Sequence, residues 1–261
     1  LLTRIFVFAA SQKNRTFLSN FKFFYLLINK FSHQKFIIDH HSEISSTNDF
    51  ALELIKNNQA ISNQVILSDA QNGGKGRLGR SWISPQGNLY FSIILKIPEG
   101  IDFSNLSFVA AVALGEAINL KKINYKWPND ILLEGKKIAG ILLEKDGDFL
   151  VIGIGVNLIS NPTKTNYPAG NLKDLGIDLE KTDLLKSFLD QFSNLQQKWH
   201  SFGFSPIRNL WLLRAWNVGK EINANLQNES IKGIFKDLDQ NGNLILNVDN
   251  QDLIISSGEI F

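Results

Sequence analysis

Residues Gln71 to Trp82 read Gln-Asn-Gly-Gly-Lys-Gly-Arg-Leu-Gly-Arg-Ser-Trp. Glycines here allow another group to approach the backbone closely and permit positive φ values. Lys75, Arg77 and Arg80 place fixed positive charge on the same loop. Bare backbone beside cations suits a polyanion such as a nucleotide phosphate, and Trp82 offers a flat apolar face for a base. The loop is not a P-loop, because GxxxxGK[ST] is not satisfied. A solvated basic turn, or a nucleic-acid contact, would use the same residues.

Three further clusters could do related chemistry. In Lys126-Trp127-Pro128-Asn129-Asp130, an adjacent amide and carboxylate on a fixed bend could read an adenine edge and approach magnesium oxygens. An ordinary Asx turn is the alternative. Lys136 and Lys137 open an otherwise apolar run through Gly140 to Glu144. A lysine there calls for an anionic partner, or else snorkels to water. Gly153 and Gly155, ahead of Asn157, suit either a ligand lying on the strand backbone or close core packing.

The elements that must position these residues follow from periodicity. Strands are expected at 35–39, 65–68 and 89–97, and a helix over 47–58 capped by Ser46 or Thr47. A second helix is expected over 107–120, then strand-like runs at 123–127, 130–133, 137–144 and 149–156 separated by turn signals. That succession suggests an antiparallel meander. Helical periodicity covers 182–202 and 206–216, broken between Gly203 and Pro206. Short strands at 221–226, 230–238 and 244–248 then predict a small β-barrel, with Asn241-Gly242 as a hairpin turn.

A chain of 261 residues with net charge +2 is long enough for a large core and too weakly charged to argue for nucleic acid by itself. Cysteine is absent, which excludes disulfides, thiol catalysis and Cys-ligated metals. The first 34 residues are poor in acids and rich in Phe, Ser, Lys and Arg. They read as an extension: disordered, transit-like, or upstream of the biological start. No apolar run there approaches the ~20 residues of a membrane span, and the segment is too short for a helix-turn-helix DNA-binding domain.

Taken as an ordered set, Ser45-Ser46-Thr47-Asn48, Gln71 with GGKGRLGRSW, KWPND, KKIAGILLE, IGIGVN and the late Ser257-Gly258-Glu259-Ile260 resemble the biotin–protein ligases. The likeness runs from about residue 35 to the C-terminus, and is to the monofunctional type without an N-terminal helix-turn-helix. It implies an α+β catalytic domain related to class II aminoacyl-tRNA synthetases, with a mixed, mostly antiparallel sheet, over 35–216. An SH3-like barrel over 217–261 would follow.

The resemblance assigns biotin binding to Ser46, Thr47, Asn48, Gln71, Gly74, Lys75, Gly76, Arg77, Lys137, Leu142, Gly153 and Gly155. It assigns ATP binding to Lys75, Arg77, Arg80, Trp82, Asn129, Lys137 and Asn157, and Mg2+ to Asp130. Arg77 and Lys137 would be catalytic. The implied reaction joins biotin to AMP using ATP, then passes biotin to a lysine of the biotin carboxyl carrier protein of a biotin-dependent carboxylase. It implies neither DNA nor membrane as partner, allows a homodimer through a sheet edge, and suggests a cytoplasmic enzyme unless residues 1–34 direct organelle import. The nearest rival is a lipoate–protein ligase, in which an arginine pair precedes a glycine triplet and a histidine. A noncatalytic biotin-binding module would not need Arg77, Asp130 and Lys137 together.

Overall fold

A computed structural model of the chain describes residues 30–100 and 102–261. An eight-stranded sheet forms its centre: β1 (Lys30–His33), β2 (Phe36–Ile44), β3 (Gln64–Gln71), β4 (Leu89–Lys96), β5 (Ile123–Lys126), β6 (Asp130–Leu133), β7 (Lys136–Asp146) and β8 (Phe149–Val156). Their spatial order is β1-β2-β3-β4-β8-β7-β6-β5. Only β2 and β3 pair in parallel, because the helix α1 (Thr47–Lys56) provides the crossover between them. The other neighbours are antiparallel, as the turn signals predict. The class is α+β with a mixed, mostly antiparallel sheet.

The pleat sends alternate residues to two differently covered faces. Val65, Leu67, Ile93, Leu95, Leu150 and Ile152 enter the large core, beneath helices α2 (Leu106–Ile118), α3 (Lys181–Phe202) and α4 (Ser205–Leu212). Ile66, Ile94 and Val151, one residue out of phase, pack with Ala51 of α1 on the opposite face. Burial on both faces explains why β4 reads as a near-continuous apolar run. Ser92 interrupts that run on the α1 face and is fully buried.

The expected elements differ from the observed ones mainly at their ends. Strand β1 lies within the first 34 residues, so part of the expected extension is an edge strand of the catalytic sheet. Strand β2 continues to Ile44, and the last two strands of the chain were not anticipated. Residues 1–29 of the extension fall outside the described residues.

The C-terminal unit is a five-stranded antiparallel sheet with order β12-β11-β10-β9-β13. Its strands are β9 (Glu221–Asn225), β10 (Ser230–Leu238), β11 (Leu244–Val248), β12 (Gln251–Ile255) and β13 (Glu259–Ile260). This is the SH3-like barrel. Its inward residues Ile222, Phe235, Leu244 and Ile260 join the same apolar core as α2 and α4. Buried Trp127 donates from Nε1 to Gly242 O at 3.0 Å, and Arg208 Nε donates to Leu238 O at 2.8 Å. Trp127→Phe should therefore leave a buried carbonyl without its donor and cost about 1–3 kcal/mol. Urea denaturation followed by tryptophan-independent circular dichroism would measure that loss.

Candidate active site

Side chains gather where β7 and β8 present glycine on the α1 face of the sheet. Cross-strand pairs Leu142–Gly153 and Gly140–Gly155 put backbone there in place of side chains. Ser92 pairs with Gly153 on the other side. The space over Gly153 is taken by the Asn48 amide, which a Cβ at that position would meet head-on. The space over Gly155 and Gly140 is taken by the Trp82 indole, whose Cζ3 would lie 3.0 Å from a Cβ at Gly140. Gly153 and the Gly140–Gly155 pair thus serve close approach of a flat group to the sheet.

At the start of α1 the chain reads Ser46-Thr47-Asn48, all three buried. Ser46 is the N-cap, its Oγ accepting from Asp49 N at 3.4 Å. Thr47 N donates to Gln71 Oε1 at 2.7 Å, while Gln71 Nε2 donates to Ser84 Oγ at 2.9 Å. Ser92 Oγ lies 2.7 Å from Thr47 Oγ1 and 2.6 Å from Asn48 Oδ1. Asn48 Nδ2 donates to Glu144 Oε2 at 2.7 Å. The result is a buried polar network lining an inner cavity of about 80 Å³.

The glycine-rich loop closes that cavity. Gly74, Gly76 and Gly79 have the spacing of a dinucleotide-binding turn, yet the segment makes only a single 3-10 turn, Arg77–Gly79, where that motif opens an α-helix. The first turn of α1 meets the loop through the Asp49 carboxylate, so the loop's positive charge comes from its own side chains. Gly74 is hemmed in by Trp82 O and Ser84 Oγ, and Gly76 N donates to Arg80 O at 2.7 Å. Lys75 Nζ pairs with Asp49 at 2.5 Å, which raises its pKa. Arg77 reaches inward, donating to Asn129 Oδ1 at 3.3 Å and Gly258 O at 3.5 Å. Burial lowers the Arg77 pKa, opposed by the carboxylates of Glu259 and Asp130. A desolvated guanidinium bonded to neutral oxygens is well prepared for an incoming anion. Arg80 forms an ion pair with Glu259 of β13, tying loop to barrel.

Lys137 Nζ lies 2.7 Å from Asp130 Oδ1, with both side chains mostly buried. The ammonium also sits 5.4 Å from the Trp82 ring centroid and 5.0 Å from that of Tyr167. The KWPND turn carries a cis Trp127–Pro128 peptide. Asn129 is fixed across it, its Nδ2 donating to Ile141 O at 2.5 Å. Asn157 is buried and donates to Gly170 O at 3.0 Å.

A larger outer cavity of about 1100 Å³ adjoins the inner one. Arg77, Arg80, Ser81, Trp82, Lys137, Tyr167 and Glu259 line both. Its far wall is the segment from Pro162 to Ala169. Asn88 anchors the run leading into that segment: its Oδ1 accepts from the N–H groups of Leu158, Ile159 and Ser160 at 2.9–3.2 Å. Of the site residues assigned from sequence, all but Gly74 and Asn157 line the inner cavity; Asn157 lines the outer, and Gly74 lines neither. Sequence reasoning missed Ser92, Glu144, Tyr167 and the site contact of Glu259. Ser92 had a usable signal, being the lone serine in an apolar strand; Tyr167 had none.

As to a metal, no cluster of three or more His, Cys, Asp or Glu side chains suited to one occurs among the described residues. Asp130 and Glu259 are the carboxylates lining the inner cavity, each facing a cation. That donor set does not make a cage, but it fits a magnesium ion held mainly by substrate phosphates. Arg80→Ala, which removes an exposed ion pair, should change global stability by less than about 1 kcal/mol. A larger shift in chemical denaturation would mean that the loop is integral to the folded core.

The model of the biotin/lipoate A/B protein ligase family matches residues 42–157, and that of the biotin protein ligase C-terminal domain matches 218–261. A biotin--[acetyl-CoA-carboxylase] ligase from Paracoccus denitrificans is 36% identical over 214 residues, 75% of this chain and 89% of that protein. The bifunctional ligase/repressor BirA of Bacillus subtilis is 33% identical over 225 residues, covering 79% and 68%. Among solved structures, the biotin protein ligase from Aquifex aeolicus in complex with biotin and ATP superposes with a TM-score of 0.76 at 27% identity. That likeness covers 86% of this chain and 97% of the other.

Proposed function

The chain belongs to the biotin/lipoate A/B protein ligase family, and from that premise we propose that the joined cavities make and hold biotinyl-5′-AMP. The enzyme activates biotin with ATP and transfers it to a lysine of a biotin carboxyl carrier protein. One observation carries the reading to these residues: Arg77 and Lys137, from distant segments, meet on the wall common to both cavities. Biotin would lie inside, its ureido ring against Ser46, Thr47, Asn48 and Gln71 and its chain toward Leu142. ATP would lie outside, its adenine against Trp82 near Asn129 and Asn157, with Lys75 and Arg80 toward the phosphates.

In the first step a carboxylate oxygen of biotin bonds to the α-phosphorus. The bond from that phosphorus to the bridging oxygen breaks, and pyrophosphate leaves. Arg77 brings the two anions together, and Lys137 neutralises the charge growing on the α-phosphate. For this, Lys137 must exchange its contact with Asp130 for one with phosphate. Magnesium, riding on the phosphates near Asp130, would neutralise part of their charge. In the second step the carrier amine bonds to the acyl carbon, the carbon–oxygen bond to AMP breaks, and the amine proton passes to solvent. The closed loop keeps water from the anhydride meanwhile.

An inner cavity of about 80 Å³ is small beside ordinary ligand pockets, so the loop must move outward to admit biotin. We assign the chemistry to residues 35–216 together with β1, and a buttressing role to 217–261. Self-association through a sheet edge, absence of DNA from the reaction and a cytoplasmic setting complete the reading. Among the described residues, no helix is long and apolar enough to cross a membrane. Biotin-dependent exchange of pyrophosphate into ATP tests the whole: exchange driven by lipoate, or by no added acid, would overturn it.

A further inference from the structure

Thr47, Ser92, Asn48 and Glu144 form a hydrogen-bonded chain whose direction is fixed from one end. A carboxylate only accepts, so the 2.7 Å contact to Glu144 Oε2 has to come from Asn48 Nδ2. The amide oxygen then faces Ser92 Oγ at 2.6 Å. Because that oxygen also only accepts, Ser92 commits its one hydroxyl proton to it. Ser92 Oγ lies 2.7 Å from Thr47 Oγ1, and with its proton used it can only accept there. Thr47 is therefore the donor in that bond, and its hydroxyl turns lone pairs alone toward the inner cavity that it lines. The Thr47 main-chain N–H is already taken by Gln71 Oε1. All of Ser92, Asn48 and Thr47 are buried, so water does not relax the arrangement.

Reversing the Asn48 amide would reverse every member. Nδ2 would donate to Ser92, Ser92 would donate to Thr47, and the Thr47 proton would point into the cavity. An N–H of a ligand would then meet a donor. We propose that Glu144 and Ser92 are positioning residues that hold Thr47 as an acceptor and thereby select a ligand presenting a ring N–H, here the ureido ring of biotin. This rests on the biotin-ligase reading and extends it to two residues behind the pocket. Gly153 supports the same arrangement, since its missing side chain lets the Asn48 amide lie flat between Ser92 and Glu144.

The test is steady-state pyrophosphate exchange by the full chain and its Glu144→Leu, Glu144→Gln, Ser92→Ala and Glu144→Leu/Ser92→Ala variants. Glu144→Leu should raise the biotin KM about 10- to 100-fold, the cost of a mispaired buried donor, with kcat and the ATP KM within about threefold. Glu144→Gln keeps an acceptor oxygen and should recover most of that affinity. In the double variant the biotin KM should equal that of Ser92→Ala alone, because without the hydroxyl Thr47 no longer senses the Asn48 amide. An unchanged KM in Glu144→Leu, penalties that multiply in the double variant, or a loss shared equally by kcat and ATP KM overturns the relay. Wild-type exchange alongside any of those results removes the relay and leaves the ligase reading intact; absence of biotin-dependent exchange in the wild type removes both.

Discussion

Lys137→Ala should reduce biotin-dependent pyrophosphate exchange by about 10²–10³-fold, the scale seen when one preorganised donor to a developing anion is removed. The biotin dissociation constant should rise by about tenfold at most, because Lys137 lies on the wall common to both cavities, whereas the residues proposed to hold the ureido ring line the inner one alone. The asymmetry is the point of the experiment. Binding lost in proportion to turnover would make Lys137 a ground-state anchor, whereas a loss confined to turnover identifies a group acting on the transition state. Removing the ammonium also leaves the mostly buried Asp130 without its 2.7 Å partner. For that reason binding should be measured by calorimetry at fixed pH for both proteins.

The second large effect is expected from one methyl group. Gly153→Ala would drive a Cβ into the Asn48 amide. The amide has little room to yield, being bonded to Ser92 on one side and Glu144 on the other. Overpacking of this kind typically costs about 1–3 kcal/mol, and here it falls on a binding group. The biotin KM should rise about 100-fold, with a modest drop in melting temperature. Gly155→Ala would press instead on the Trp82 indole, so its penalty should fall on the ATP KM. If both substitutions weakened the same substrate, the assignment of inner and outer cavities would be wrong.

Much of this arrangement was legible before any coordinates. The helix expected over 47–58 shows in its Ser46 or Thr47 cap and apolar stripe, though it ends at Lys56, and the β7–β8 hairpin shows in its Asp146-Gly147 turn. These features are local, and local patterns survive in sequence. Strand β1 was not legible, because four residues within a Phe- and Lys-rich segment carry no alternation long enough to read. Nor was the Arg80–Glu259 pair, whose partners are separated by 179 positions. The roles of Glu144 and Ser92 depend on which face of the sheet each occupies, and register settles that only after β4, β8 and β7 are aligned.

That long-range pairing has a thermodynamic corollary. The glycine-rich loop touches the last strand and the residue before it, through Arg80 to Glu259 and Arg77 to Gly258. Any ligand that orders the loop must then also restrain β13, and β13 is hydrogen-bonded to β9. Occupancy of the inner cavity should consequently slow amide hydrogen exchange at Asn225 and Phe261, which do not line it, in proportion to its saturation. The barrel would report, strand by strand, on whether the enzyme is loaded.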